Sequence, residues 1–268
     1  MQVASFQHLT EHVTFGTTPR VWSLLVTVFG ELAQDVDAQI SGALLRNLCK
    51  HIGIKPEAMR VALHRLRKDG WIDSTRTGRT SDYFLTQWGR AQSIAASPRI
   101  YAKDAAVKEA WLVIFNPGFT LGHPAPTDHS SGVWVSSNML VTCIPPNTDD
   151  VIAKKLNLAS RLPEWITSRV CDPAIVKLSE DFLSALDAVQ ALLGATPNLT
   201  PMQTAALRIL LVHSWRRIVL KTPVLPDHVF PVGWCGMECR ARTFSLLGQL
   251  PKQTPFALAK DAASQPPC

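Results

Sequence analysis

Apolar positions recur at helical spacing in three consecutive stretches near the start of the chain. Val21, Leu24, Leu25, Val28 and Phe29 form a broad apolar face behind Thr18-Pro19, a capping residue followed by a proline suited to a first helical turn. Leu44, Leu45, Leu48 and Ile52 give a second face; Ser41 is placed to cap that helix and Gly53 to end it. Met59, Ala62, Leu63 and Leu66 give a third, opened by Pro56 and stopped by Gly70, which is free to turn left-handed. The pattern then changes to that of a hairpin. Trp71-Ile72 opens a strand, Thr77-Gly78 is a turn, and residues 79–85 return as the partner. Thr86 is placed to cap a further helix that meets Pro98 and bends there. Helix, helix, tight turn, helix and hairpin predict a winged helix-turn-helix over residues 18–104. Residues 35–39 read as a loop or the short first strand of that wing, and residues 1–17 as a flexible arm.

Beyond residue 105 the texture changes. Glu109 to Phe115 is an apolar run suited to a buried strand, and Asn116-Pro117-Gly118 breaks it. Residues 119–132 are rich in Gly, Pro, Ser and Thr and read as a long loop; residues 133–143 read as a strand, 150–158 as a short helix and 164–171 as another strand. Residues 105–172 are therefore expected to form a small α+β domain. Helical spacing returns at 176–193, 202–220 is apolar nearly all round, and 238–250 is amphipathic, with a proline-marked crossing at 223–234. These predict a helical domain over 173–250 and a frayed tail over 251–268. The expected fold class is α+β.

Charge sharpens the picture. Between Arg46 and Arg79 there are nine lysines and arginines against Glu57, Asp69 and Asp73, a net +6 that equals the net charge of the whole 268-residue chain. A basic region confined to one small module is an electrostatic footprint for a polyanion. Arg60, His64, Arg67 and Lys68 lie at steps of three and four opposite the apolar stripe of the third helix. With Lys55 and Arg65 on the same segment, and Arg76, Arg79 and Thr80 at the hairpin tip, they are the expected DNA-binding residues. The helix would read a major groove and the tip would hold phosphate. Arg65 points away from the Arg60–His64 stripe and serves equally well as a packing residue against the hairpin.

Other chemistry is thin. No apolar run approaches the roughly 20 residues needed to span a bilayer, and the start of the chain lacks the basic and apolar regions of a secretory signal. Six scattered cysteines in a chain of this length fit a reducing cytoplasm better than a disulfide framework. Cys235 and Cys239 lack a second ligand pair for zinc. No catalytic residues, metal or cofactor are expected, and the chain does not read as an enzyme.

The stretches TPRVWSLLVTVFG, RVALHRLRKDGW, GRTSDYFLTQWGR, GVWVS, LRILLVHSWRRIVLKTPVLP and FPVGW resemble the PaaX-like repressors of phenylacetate catabolism over most of the chain. The resemblance implies an N-terminal winged helix, a central ferredoxin-like unit similar to a CRISPR-associated Cas2 protein, and a helical C-terminal domain. It further implies a cytoplasmic homodimer that binds palindromic operator DNA and is released by an aryl-CoA or other acyl-CoA thioester. The diphosphate and 3′-phosphate of such a thioester call for cations. Arg208, Arg216, Arg217 and Lys221, with His213 one turn before Arg216 and Arg217, supply them on the second cation-rich helix and are the expected effector contacts. Core hydrogen bonding for His213 and pairing with carboxylates for the arginines are the competing readings. The chain departs from the family in the loop 119–132, where a helix is usual, and at Thr222-Pro223, where Asp-Pro is usual. Two other functions remain open. One is a Cas2-like metal-dependent nuclease, which Asn116 disfavours because it stands where such an enzyme would place an aspartate. The other is a DNA-binding protein without a ligand.

Overall fold

A computed structural model describes residues 2–15, 19–78, 80–103, 107–116, 131–147, 151–157, 161–195 and 198–264. Arg79, Thr18 and nearly all of the loop 119–132 lie outside the described residues. The fold is mixed helix and sheet. The chain divides into two compact units, one made of Met1–Tyr101, Ser184–Arg216 and Arg242–Cys268, the other of Ala102–Leu183 and Arg217–Ala241.

In the first unit, α1 (Gln2–Thr14) and α2 (Val21–Leu32) are followed by β1 (Ile40–Ser41), α3 (Gly42–His51), α4 (Pro56–Lys68), β2 (Ile72–Thr77), β3 (Thr80–Leu85) and α5 (Gln87–Tyr101). The predicted apolar faces are the buried ones: Leu24, Leu25, Val28 and Phe29 of α2, Leu44, Leu45 and Leu48 of α3, and Met59, Ala62, Leu63 and Leu66 of α4. Ser41 Oγ accepts the Leu44 amide at 3.2 Å and Thr86 Oγ1 accepts the Gly89 amide at 3.0 Å, so both predicted caps form.

Helices α3 and α4 end by the same device. The Gly53 amide reaches the Lys50 carbonyl and the Ile54 amide the Cys49 carbonyl; the Gly70 amide reaches Arg67 and the Trp71 amide Leu66. Each is a paired closure that uses a left-handed residue just past the helix, and Gly53 and Gly70 sit at φ +79° and +74°. Buried Ile54 then anchors the link into α4. The sheet order is β1-β3-β2, all antiparallel, with β2 and β3 in register from Ile72 opposite Leu85 to Thr77 opposite Thr80.

The second unit holds a four-stranded antiparallel sheet in the order β5-β6-β4-β7: β4 (Trp111–Phe115), β5 (Gly132–Ser136), β6 (Met139–Thr142) and β7 (Val151–Lys155). α6 (Glu164–Val170) follows. α7 (Pro173–Ala195), α8 (Pro201–Val219) and α9 (Gly236–Gln249) each contribute residues to both units, and α10 (Pro255–Ser264) belongs to the first. α8 is buried as its composition demands, with Trp215 only 1% exposed and its indole N–H donated to the Ile100 carbonyl at 3.0 Å.

Four expectations change. The segment read as a loose arm forms α1, because Phe6, Leu9 and Val13 share one face and are buried. The segment read as a helix at 150–158 is strand β7, which pairs with β4 from Phe115–Val151 to Trp111–Lys155; β-branched Val151 and Ile152 suit that edge position. The segment read as a strand at 164–171 is α6: Ile166 and Val170, four apart, are both buried, which only a helix achieves. The tail contains α10, held by fully buried Leu258.

Candidate nucleic-acid interface

Three elements of the first unit enclose a groove of about 590 Å³. α3 contributes Gly42, Ala43 and Arg46; α4 contributes Pro56, Met59, Arg60, Leu63, His64 and Arg67; β3 contributes Thr80, Ser81 and Tyr83. Pairing of Ser41 with Asp82 brings β3 against the start of α3. The side chain that Gly42 lacks would lie 3.3 Å from the Ser81 carbonyl, so a glycine here permits that close approach. The result is a concave surface with three guanidinium groups, one imidazole and several hydroxyls.

The arginines differ in how they are held. Arg60 Nη2 donates to Glu57 Oε1 at 2.8 Å, one turn earlier and exposed. Glu57's own backbone amide, with Arg60 and Lys55, holds that carboxyl below the usual carboxylate range. Arg67 approaches Asp73 Oδ1 at 3.6 Å. Exposed pairs of this kind are worth little and exchange readily for a phosphate. Arg65 is set apart: it pairs with Asp69 at 3.5 Å and its guanidinium carbon sits 5.6 Å from the Trp22 ring centroid, a cation–π contact with α2.

Of the residues predicted from sequence, Arg60, His64, Arg67 and Thr80 therefore line one groove. Lys55, at the N-cap of α4, and Lys68, in its last turn, are exposed but do not line it. Arg76 lies at the hairpin tip, where its Nε donates to the Gly78 carbonyl at 3.2 Å. Arg46, Ser81 and Tyr83 were not among the predicted contacts. Arg46 could have been found as a cation on the polar face of α3, which it shares with Lys50. Ser81 and Tyr83 could not, because only the β1–β3 pairing brings them to the helices.

The predicted effector residues fall in two places. Arg208 Nε donates to Glu31 Oε2 at 2.7 Å, and its Nη1 donates to the Leu247 and Leu250 carbonyls at 3.1 and 2.8 Å. Tyr101 Oη donates to the other oxygen of Glu31, and burial next to that carboxylate pushes the phenol well above its ordinary range. Buried His213 Nδ1 lies 3.2 Å from Thr27 Oγ1, and Arg216 Nη1 donates to the same hydroxyl oxygen at 3.0 Å; burial lowers the Arg216 pKa. These three residues knit α8 to α2 inside the first unit. Arg217 and Lys221 are exposed and belong to the second unit. Among the described residues no group of three or more His, Cys, Asp or Glu is placed to hold a metal, and no helix is long and apolar enough to cross a membrane.

Two family models match the chain. One described as PaaX-like protein covers residues 20–89, the stretch that builds the groove, and one described as PaaX-like protein C-terminal domain covers residues 174–254. The chain belongs to the PaaX-like family. It is 25% identical over 262 residues to the transcriptional repressor PaaX of Escherichia coli (strain K12), which takes in 88% of this chain and 81% of that one. A solved structure, the uncharacterized protein Rv0674 from Mycobacterium tuberculosis, is 20% identical and overlaps 88% of this chain and 96% of that one at a TM-score of 0.40. The PaaX-like match thus spans both the basic groove and the α7–α9 helices.

Proposed function

We propose that this PaaX-like chain is a transcriptional repressor, a regulator and not an enzyme, and that its groove is the face that meets double-stranded DNA. The observation that carries this reading is the convergence of Arg46, Arg60, His64 and Arg67 on one groove, in the region that carries the chain's whole net charge. α3, the Gly53 link, α4 and the β2–β3 hairpin are read as a winged helix-turn-helix. α4 would enter the major groove, where arginine grips guanine through two hydrogen bonds. The hairpin tip, with Arg76 and Arg79, would hold backbone phosphate. The curated relative's name supports repression.

The strand order β5-β6-β4-β7 supports a ferredoxin-like, Cas2-like reading of the second unit's sheet, and α7–α9 supply the helical C-terminal part. Homodimerisation on a palindromic operator, and release by an acyl-CoA or aryl-CoA thioester, complete the proposal. Full-length protein is mixed with duplexes selected from a random library, and binding is followed by fluorescence anisotropy at fixed salt. Enrichment of a palindromic site bound by the wild type and lost in Arg60→Ala supports the reading. Recovery of no preferred sequence removes it.

A further inference from the structure

Val61 is the residue of α4 that the groove does not explain. It is 70% exposed, although it is apolar and sits mid-helix beside Met59, Leu63 and Leu66, which are buried. Among the described residues, no other large apolar side chain of α3 or α4 is exposed.

Its place on the helix is specific. Glu57, Val61, His64 and Lys68 follow at steps of four, three and four and are all exposed, so they form one line down α4. That line lies opposite the buried stripe of Met59, Ala62, Leu63 and Leu66. His64 also lines the groove with Arg60 and Arg67, so the line borders it. When a helix enters a major groove, about 12 Å wide, the line opposite its buried face goes deepest and meets the base edges.

Nothing in the packing of α4 calls for a valine here. Arg65, one turn further on, has its guanidinium on Trp22 and beside Asp69 and leaves Val61 open. A β-branched residue loses rotamer freedom in a helix, so alanine, lysine or arginine would serve α4 better as a helix former. Lysine or arginine would also add a phosphate contact to the stretch from Arg46 to Arg79, which already carries nine cations against three carboxylates. Valine forgoes both and presents two methyl groups. Its χ1 is nearly fixed in a helix, so contact with a partner freezes little further motion.

The charge around Val61 selects a polyanion as the partner, and base chemistry selects the atom it meets. In the major groove the base edges show hydrogen-bonding groups and one apolar group, the C5-methyl of thymine. An apolar side chain on the base-facing line of a basic helix has that methyl as its match. We propose that Val61 is a base-reading residue of α4 whose methyl groups pack on the C5-methyl of an operator thymine, beside the bases met by Arg60 and His64. The inference rests on the repressor reading and adds to it one named feature of the DNA.

The test uses the full-length protein and the duplex it selects from the random library. Each thymine is replaced in turn by uracil, which keeps the base pair and lacks only the C5-methyl. Wild type is expected to lose affinity about fourfold at one thymine or more, the amount that burial of one methyl-sized group supplies. Val61→Ala is expected to bind the unmodified duplex about fourfold less well and to show no further loss with uracil at that thymine. Val61→Thr, which keeps one methyl group, is expected to keep the sensitivity. Its melting curve and that of Val61→Ala are recorded alongside; alanine at an exposed helical position should melt no earlier than wild type. If no thymine methyl matters, or if uracil costs Val61→Ala as much as wild type, the assignment of Val61 is overturned and the operator-binding reading of α4 stands. If wild type selects no sequence at all, the repressor reading falls and takes this inference with it.

Discussion

At the scale of single residues, position in the fold separates arginines that are alike in sequence. Arg46, Arg60 and Arg67 line the groove, while Arg65 lies on Trp22. Alanine at Arg60 or Arg67 is expected to cost about 1–3 kcal/mol of discrimination between operator and mismatched DNA, with thermal stability unchanged. Alanine at Arg65 is expected to lower the melting temperature slightly and leave sequence preference alone. Competition binding on operator and scrambled duplexes checks both; unchanged preference in both groove variants removes α4 as the reading helix. A second expectation concerns Asp227, whose carboxyl is pushed up chiefly by burial, partly offset by the Trp234 hydrogen bond. A raised folded pKa means that the folded protein holds this proton more tightly than the unfolded chain. The stability it contributes is complete below the ordinary carboxylate range and is lost as pH rises through the raised folded value. Asp227→Asn keeps an acceptor for the indole and removes the half-buried charge. Its melting temperature at neutral pH should equal or exceed that of the wild type, with a flatter acid-side pH dependence. A clear drop would show that the ionised carboxylate is needed.

At the scale of elements, α2 and α8 are joined by polar groups inside an apolar interior. Glu31 is 2% exposed and shares its two oxygens between Arg208 and Tyr101. Removing one partner of a buried pair leaves an uncompensated charge, so Arg208→Ala is expected to destabilise by about 3–5 kcal/mol. Urea unfolding measures this. A loss no larger than that of an exposed arginine variant such as Arg217→Ala would mean that water compensates Glu31. The hairpin tip behaves differently. Arg76 is an exposed residue near the end of β2, beside the turn, so Arg76→Ala should weaken specific and non-specific DNA alike and flatten the log–log salt dependence by roughly one unit per lost phosphate contact. A change in sequence preference at constant slope would assign the tip to base reading.

At the scale of the whole molecule, a ligand that releases the repressor must bind the DNA-free form better than the DNA-bound form. Linkage then requires DNA to weaken the ligand by the same factor, and a usual coupling of about 1–3 kcal/mol corresponds to a 5- to 150-fold loss of operator affinity at saturation. Measuring ligand affinity with and without operator, and operator affinity with and without ligand, tests this directly; unequal factors would mean that a second equilibrium, such as dimer dissociation, is being read as coupling. If the proposed dimer forms, half-site spacing in the selected operator would report the distance between two copies of α4, since such a dimer reads half-sites about one helical turn apart.

Sequence alone determined whatever depends on neighbours along the chain. The apolar stripes of α2, α3 and α4, the caps at Ser41 and Thr86, and the glycine closures at Gly53 and Gly70 rest on periods of three and four and on backbone freedom, so they were legible. The basic face of α4 was legible for the same reason. Local propensity misassigned β7 and α6, because short segments take their state from what they pack against: β4 beside Val151–Lys155, and the buried side of Ile166 and Val170. Tertiary structure alone decided the groove's third wall, since Ser81 and Tyr83 reach α3 only through the β1–β3 pairing. It also decided the partners of Arg208, more than 170 residues from Glu31 in sequence, and gathered Arg161 with the 227–234 loop around one cleft. Contacts between residues far apart in the chain leave no periodic trace, because each side chain's composition is compatible with many partners and only the packed core selects one.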